Sequence, residues 1–422
     1  MLICTLLVLT GSAVVLVRLF SGNHLDLTRL GENGAHNQEI QTAIQGKTSA
    51  PGSTKKKGNG SHYTLYDSAG SSENADSSEN AGGRFTLTVA GTVALEESIR
   101  KSGYISELKV YDLSEIMSLL RNELTSDVNI VFLENILTDS AKPSDIIAPS
   151  ATAAMLKAAG FNMAACGFQG AWNKKAEGIA DTRANLTDSG ITPIGIYNPD
   201  QKDPYQIMNC GGIPTAILQY TNTISQSERK KMNKEGQSDT VPAADPETIA
   251  NDISEVRTKG AALVVVLMNW GNRGKAPDKK IKTLAQQIAD AGADIIIGSG
   301  SRKPQPAEYL NSVRADGSEA QVLCIWSLGV TLSKDRSNAQ NMAGYLFHTE
   351  FVMDSSRNVR ISNSEFTPLY TWLFTQDKRN NYRCLAANRV PPDGMEIKQQ
   401  NTMAHVADIT REALKDSFLT ER

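Results

Sequence analysis

Five strand-like segments end in short loops, and the side chains in those loops limit the chemistry that this chain can perform. In a layered α/β fold, the carboxyl ends of the strands are where ligands and metal ions bind. A site for two metal ions needs several carboxylates, imidazoles or thiolates there. These loops offer one glutamate, one asparagine and otherwise mostly Thr, Gly, Ser and Arg. The loops are Gly91-Thr92, Phe132-Leu133-Glu134, Phe168-Gln169-Gly170, Asn269-Trp270-Gly271 and Gly298-Ser299-Gly300-Ser301-Arg302.

The supply of metal ligands in these loops is poor. A guanidinium such as that of Arg302 cannot lose its proton to become a ligand. Two divalent cations at close range repel strongly, and one carboxylate cannot offset that repulsion. We therefore predict no metal site and no cofactor; the rival interpretation is a single ion held by Glu134, Asn173 and Asn269. All five histidines lie outside the loops: His24, His36, His62, His348 and His405.

Basic residues are more frequent in these loops than metal ligands are. If the loops converge, their charges would line one cleft facing Glu134 and Asn269, and that cleft would bind an anion such as a polymer carboxylate or a phosphate. The alternative is that loops are solvated and charged in any case. The basic residues are Lys174, Lys175, Arg273, Lys275, Arg302 and Lys303.

Other catalytic templates are absent from the sequence. It contains no G-x-S-x-G nucleophile elbow, no phosphate-binding G-x-x-x-x-G-K-[ST] loop and no G-x-G-x-x-G after a strand. The five cysteines lack C-x-x-C spacing, so neither a zinc site nor a disulfide framework is indicated, and Cys166, Cys210 and Cys324 are expected to be buried thiols. The formal net charge of -3 predicts no general attraction to nucleic acid.

The first twenty residues predict attachment to a membrane. Leu2 to Val17 is apolar apart from small polar residues, and with Leu19 and Phe20 it is about as long as a short transmembrane helix. We therefore expect residues 1–20 to form a single-pass anchor in the cell membrane. The soluble part is expected outside the cytoplasm, although Arg18 taken alone favours the opposite orientation.

Composition divides the remainder of the chain into three parts. Residues 21–83 carry few large apolar groups and two copies of Ser-Ser-Glu-Asn-Ala, so they predict a disordered linker. From residue 84, strand-like and helix-like segments alternate, which indicates an α/β fold. Several late strands lack intervening helices, which predicts a mixed sheet or two packed sheets. We predict one domain over 84–370 and an extension over 371–422 that ends in a helix.

Several short motifs, mainly at structural turns, follow one another in order along the chain. They are Ala159-Gly160-Phe161-Asn162, Glu177-Gly178-Ile179, Gly190 to Gly195, Asp290 to Gly298, Gln305-Pro306 and Trp326-Ser327-Leu328-Gly329. These motifs resemble those of the bacterial capsule-synthesis CapA family, also called poly-γ-glutamate biosynthesis proteins, within the calcineurin-like metallophosphoesterase superfamily. The resemblance covers about Phe85 to Tyr370.

The chain departs from the family where the family holds metal. Thr92 stands for an Asp and Asn269 for a His, while Glu134 matches the family's Glu. Ser299, Gly300 and Arg302 replace three histidines, Phe132 replaces an Asn, and Phe168, Gln169, Gly170 and Asn173 replace Asn, Asn, His and Asp.

The resemblance implies a metallophosphoesterase-like α/β/β/α sandwich of two mixed sheets flanked by helices. It also implies a non-catalytic, membrane-anchored protein that supports synthesis or export of an anionic polymer beside capsule-synthesis membrane proteins. Two alternatives stay open: a metal-dependent hydrolase with an altered site, and a structural protein of the envelope or spore. The anion-binding residues expected from the sequence are Lys174, Arg273, Arg302, Lys303, Glu134 and Asn269.

Overall fold

The computed structural model describes residues 5–10, 13–18, 63–65, 82–199, 205 and 207–422, and the chain divides into two units, Met1–Gly60 and Ser61–Arg422. In the first unit, strands β1 (Thr5–Thr10) and β2 (Ala13–Arg18) pair antiparallel. The sequence predicts one helix across this region, so the structure differs from that expectation. Val occurs in both strands and Thr in β1, and these β-branched residues favour extended backbone.

Strands β1 and β2 cover twelve of the twenty residues of the predicted anchor, whereas the predicted linker falls largely outside the described residues. No helix within the described ranges is long and apolar enough to cross a membrane. Of the predicted linker over 21–83, the structure describes residues 82–83 and one short strand, β3 (Tyr63–Leu65). That strand pairs antiparallel with a strand of the second unit, which the low apolar content of the linker did not predict.

Within the described residues, the larger sheet of the second unit, called sheet I, has nine strands. In sheet order the strands are β11 (Thr192–Ile194), β10 (Met163–Ala165), β7 (Val128–Leu133), β4 (Arg84–Val93), β19 (Gly344–Met353), β20 (Val359–Gln376) and β21 (Arg379–Ala386), with β18 (Val330–Leu332) and β22 (Thr420–Glu421) beside them. Strands β4, β7, β10 and β11 are parallel, whereas β19, β20 and β21 continue the sheet antiparallel. Strand β18 pairs with β4, and β22 pairs with β20.

The second sheet of this unit, sheet II, has seven described strands. In sheet order the seven strands are β16 (Ala307–Val313), β17 (Glu319–Ile325), β15 (Ile295–Ser299), β14 (Leu263–Asn269), β13 (Ile213–Thr221), β12 (Ile207–Cys210) and β3. Strands β13, β14, β15 and β17 run parallel at its centre. Two short pairs lie outside the sheets: β5 (Tyr104–Ile105) with β6 (Val110–Tyr111), and β8 (Ile136–Leu137) with β9 (Ile147–Ala148).

Seven described helices accompany the sheets, with three 3-10 turns at Ser118–Leu120, Ser238–Thr240 and Ala339–Met342. The sequence predicts a longer helix over 114–123, but Ser114 donates to the Asp112 carboxylate at 2.6 Å and so forms a local turn instead of a helix cap. The helices are α1 (Glu97–Ser102), α2 (Ala151–Ala159), α3 (Lys175–Asp188), α4 (Gln226–Lys234), α5 (Pro246–Thr258), α6 (Lys279–Asp290) and α7 (Ile397–Leu414).

The two sheets pack face to face through alternating strand residues. In β4, Phe85, Leu87 and Val89 enter a core that also contains Val265 and Leu267 of β14. Residues between them on each strand point to the outer faces, because successive side chains alternate across a sheet. The helices α2 and α3 cover the outer face of sheet I, and α5 and α6 cover that of sheet II. The predicted α/β/β/α sandwich of two mixed sheets is therefore confirmed.

The chain beyond residue 370 takes part in sheet I. Strand β20 continues through Tyr370 to Gln376, and β21 pairs with it along its length. Helix α7 packs on this end of the sheet, where Trp372, Met403 and Val406 share one buried cluster. The boundary predicted after residue 370 falls inside a strand, because a strand with mixed polar and apolar residues gives no composition change there.

His348 is a buried histidine of β19, with 5% of its surface exposed. Its Nδ1 lies 2.9 Å from the Thr88 hydroxyl, and its Nε2 lies 2.9 Å from the Thr367 hydroxyl. Burial lowers the pKa of His348 to about 3, and the positive charges of Arg422 and Arg389 act in the same direction. The imidazole is therefore neutral in the folded protein at ordinary pH.

This pKa predicts a loss of stability in acid. Between pH 6.5 and pH 3 the unfolded chain binds a proton at His348 that the folded chain does not. The contribution of the neutral imidazole to the unfolding free energy is therefore present above pH 6.5 and is lost as the pH falls toward 3. We expect His348 to account for about 3 kcal/mol of the unfolding free energy lost between pH 7.5 and pH 4. In denaturant titrations, His348→Gln should flatten this pH dependence. The exposed control His405→Gln should not; equal slopes for His348→Gln and the parent protein would contradict the prediction.

Candidate functional site

The carboxyl ends of parallel strands from the two sheets meet at one edge of the sandwich. The Thr92 hydroxyl, near the end of β4 in sheet I, lies 3.2 Å from the Ser299 hydroxyl at the end of β15 in sheet II. Asn269 ends β14 and donates from Nδ2 to Glu134 Oε1, which follows β7, at 3.3 Å. The loops identified in the sequence therefore converge.

Glu134 is the centre of this convergence. Its Oε1 accepts hydrogen bonds from the Thr92 hydroxyl at 3.2 Å and from Asn269 Nδ2. Its Oε2 accepts two from Arg302, at 3.0 Å from Nε and 2.5 Å from Nη2. Both carboxylate oxygens are thus used by protein donors, and the pair is little exposed, with 15% of the Arg302 side chain and 11% of the Glu134 side chain accessible.

A second carboxylate, Glu96, completes an ion cluster that the sequence reasoning missed. Its Oε1 lies 3.4 Å from Arg302 Nη1, and its Oε2 accepts from the Ser333 hydroxyl and the Lys334 backbone N–H. Burial by itself lowers the pKa of the Arg302 guanidinium, but Glu134 and Glu96 outweigh it and the pKa is raised. Glu96 lies three residues after the end of β4, and this position near a strand end is the sequence feature that could have predicted its place in the site.

The loop that carries Arg302 has a constrained backbone. Arg302 itself has φ +57°, in the left-handed region that non-glycine residues rarely adopt. Gly298 leaves no space for a side chain, because a Cβ there would lie 2.2 Å from the Trp326 carbonyl oxygen. The Trp270 indole N–H donates to that same carbonyl at 2.9 Å and holds the loop against the next strand.

A cavity of about 420 Å³ opens over this cluster. Its charged lining is three cations and two carboxylates, but Arg302 and Glu134 pair with each other, Arg273 pairs with Asp335 at 3.3 Å, and Asp278 caps α6. The remaining polar lining is mostly amide. The lining residues are Glu134, Phe168, Gln169, Asn222, Thr223, Asn269, Gly271, Asn272, Arg273, Asp278, Lys280, Ile281, Gly300 and Arg302.

The residues expected from the sequence to bind an anion divide into two groups. Glu134, Asn269, Arg273 and Arg302 line the cavity. Lys174 and Lys303 are not among its lining residues; Lys303 instead donates from Nζ to the Gln340 side chain at 3.1 Å. Asn222, Asn272 and Lys280 line the cavity although the sequence reasoning passed over them.

The donor set at this site does not fit a pair of divalent cations. Its carboxylates already bind a guanidinium whose permanent charge repels a metal ion, and the neighbouring groups are hydroxyls and amides. Among the described residues, no cluster of three His, Cys, Asp or Glu side chains is suited to a metal ion. Asn173, which the rival single-ion interpretation requires, is exposed and is not part of the cavity lining.

The fold and site together define a two-sheet α/β protein with its candidate site at the convergent strand ends and an arginine–carboxylate cluster inside it. The family model described as bacterial capsule synthesis protein PGA_cap matches residues 86–334, more than half of the chain. The chain therefore belongs to this capsule-synthesis family, and the family resemblance inferred from the motifs is confirmed.

One curated relative is the PGA biosynthesis protein CapA of Bacillus subtilis (strain 168). It is 31% identical over 140 residues, which are 32% of this chain and 35% of that protein. The aligned segment thus spans about a third of the relative's length.

The solved structures that match this chain have low sequence identity and TM-scores below 0.5. A hypothetical protein from Thermus thermophilus is 16% identical, with 67% of this chain and 99% of that chain covered and a TM-score of 0.38. The NAD nucleotidase of Haemophilus influenzae is 12% identical, with 78% of this chain and 61% of that chain covered and a TM-score of 0.41. The calcineurin-like phosphoesterase YfkN of Bacillus subtilis is 9% identical, with 79% of this chain and 98% of that chain covered and a TM-score of 0.35.

Removal of the Arg302 guanidinium is expected to destabilise the fold strongly. Arg302→Met leaves Glu134 and Glu96 buried without their cation, which typically costs about 3–5 kcal/mol. Adding Glu134→Gln and Glu96→Gln should recover much of this loss, because no buried charge then remains. Denaturant unfolding measures both.

The exposed ion pair of Arg273 provides the matched control. Arg273→Met should change the unfolding free energy by less than about 1 kcal/mol, since surface pairs contribute little. An equally small change in the unfolding free energy for Arg302→Met would contradict the prediction, because it would show that solvent screens the ion cluster and that the cluster contributes little to stability.

Proposed function

We propose that this protein is a non-catalytic, membrane-anchored member of the capsule-synthesis family that binds an anionic polymer at the cell envelope. The supporting observation is the two-donor contact of Arg302 with Glu134, which uses the carboxylate that a catalytic metal would need. The curated relative is by its name a PGA biosynthesis protein, and that name is the reason to consider a poly-γ-glutamate ligand here.

The chemistry of the cavity suits such a polymer. Poly-γ-glutamate carries carboxylates at regular intervals along a backbone of amide groups. Arg273 and Lys280 are exposed cations at the cavity wall, where they would pair with carboxylates. Gln169, Asn222 and Asn272 are exposed amides that would donate to and accept from backbone amides. Arg302 is a positioning residue in this proposal, since Glu134 and Glu96 already neutralise it.

Polymer binding should depend on these two cations and not on metal. We expect Arg273→Ala with Lys280→Ala to weaken poly-γ-glutamate binding roughly tenfold, about 1.4 kcal/mol, in titration calorimetry at low salt. The matched control is Lys279→Ala with Lys282→Ala, which removes the same charge from exposed positions of α6 outside the cavity lining.

Chelation separates this proposal from the hydrolase alternative. Affinity should be unchanged in EDTA. Stoichiometric bound transition metal, or phosphoester turnover that EDTA abolishes, would contradict a non-catalytic role. Equal weakening by the control pair would contradict the cavity as the binding site.

Membrane attachment and partners form the second part of the proposal. The apolar stretch from Leu2 to Val17 supports an anchor, and a polymer-binding domain at the envelope would act beside capsule-synthesis membrane proteins. In intact cells, added protease is expected to release the domain while a cytoplasmic marker protein stays intact. Cleavage that occurs only after lysis would place the domain in the cytoplasm and contradict this orientation.

A further inference from the structure

A second cavity, which we call the α7 groove, lies between the 3-10 turn Ala339–Met342 and helix α7. It measures about 600 Å³, within the usual range of small-molecule sites. None of its lining residues lines the cavity over Glu134, so it is separate from the site described above. The lining residues are Arg336, Asn338, Ala339, Met342, Ile397, Lys398, Asn401, Thr402 and His405.

The charged lining of the α7 groove is entirely basic. Arg336 and Lys398 are cations, and no carboxylate is part of the lining. An anion in this groove would therefore meet attraction without a competing negative charge in the wall.

Arg336 is a partly buried guanidinium without a carboxylate of its own. Its Nη1 donates to the backbone carbonyls of Ser333 and Asp335, at 3.0 and 2.8 Å, and its Nη2 donates to that of Thr371 at 3.0 Å. Its Nε is buried without a hydrogen-bond partner among the described groups. The nearby Asp335 carboxylate instead accepts from Arg273. No carboxylate pairs directly with this guanidinium, and the Asp335 and Glu96 carboxylates act on it from a greater distance.

The rest of the groove is largely apolar. Ala339 and Met342 form one wall, and Ile397 lies at the rim with 70% of its surface exposed. Helix α7 lines the other side of the groove and supplies the cation Lys398. A fully hydrophilic ligand would leave this apolar wall uncovered, whereas a hydrocarbon chain would gain from burying it.

We propose that the α7 groove binds an amphipathic anion, with a carboxylate or phosphate head beside Arg336 and Lys398 and an alkyl chain along Met342 and Ile397. The two head groups share the same recognition chemistry. The proposal does not depend on the polymer-binding function, because the two cavities have no lining residue in common.

A neighbouring cavity further along α7 differs from the α7 groove in its charges. It measures about 550 Å³, shares His405 with the α7 groove and contains Ile409 and Ala413 further along α7. Its acidic residues, Asp408 and Glu412, pair with Arg411 and Lys415 on the same helix. Because carboxylates line this second cavity and none lines the first, the head group belongs at the Arg336 end.

Titration calorimetry with short-chain probes below their micelle concentration tests the proposal. Dodecanoate and dodecyl phosphate are expected to bind the full chain, and comparing them decides which head group is preferred. Acetate, inorganic phosphate and the uncharged dodecyl maltoside should each bind at least roughly tenfold more weakly, since each lacks the chain or the charge. Binding of dodecyl maltoside or of the tailless anions as tight as that of dodecanoate would overturn the proposal.

Charge reversal locates the site without disturbing the fold. Lys398→Glu changes an exposed side chain and is expected to weaken dodecanoate binding at least roughly tenfold, whereas Lys282→Glu, an equal change on α6, should leave it unaltered. Ile397→Ser should weaken dodecanoate but not acetate. Arg336 is left intact because it holds three backbone carbonyls. Unchanged dodecanoate affinity in Lys398→Glu would overturn the proposal.

Discussion

The contact of one guanidinium with two carboxylates organises the convergent edge of this protein. Arg302 reaches Glu134 and Glu96, which follow different strands of sheet I, from a loop of sheet II. Charges this little exposed are costly unless they are paired and hydrogen-bonded. Here the remaining carboxylate oxygens accept from Thr92, Asn269, Ser333 and the Lys334 backbone, so the cluster is satisfied throughout. The left-handed backbone at Arg302 is a strain that these contacts offset.

This cluster also separates the structural charges from those available to a ligand. Sequence reasoning counted Arg302 and Arg273 together as cations of one cleft. In the folded protein Arg302 is committed to carboxylates, whereas Arg273 is 60% exposed and shares only one surface carboxylate. Because exposed ion pairs contribute little and are readily exchanged, Arg273 can be recruited by a ligand at small cost. In the proposed polymer site, the amides around Arg273 would determine which anionic polymer fits.

The two cavities differ in character, and the difference follows from what lines them. The cavity over Glu134 is polar, with amides and balanced charges at the carboxyl ends of parallel strands. The α7 groove is largely apolar, with two cations and no carboxylate in its lining, and it is formed by chain beyond residue 335. The groove therefore lies outside the 86–334 segment that the family model matches.

The sequence by itself indicated an α/β fold, because alternating strand-like and helix-like segments are local patterns. The order of its turn motifs indicated the capsule-synthesis family, and that resemblance implied the two-sheet sandwich. The sequence also showed that the strand-end loops are poor in metal ligands, since the residue types in a loop can be read directly from the sequence. Tertiary structure alone decided that Glu96 joins Arg302, since the two are 206 positions apart in the chain. Only the tertiary structure shows that Lys174 and Lys303 are not part of the cavity lining and that β20 continues past Tyr370. Side-chain pairing across two sheets depends on packing, which no local pattern encodes.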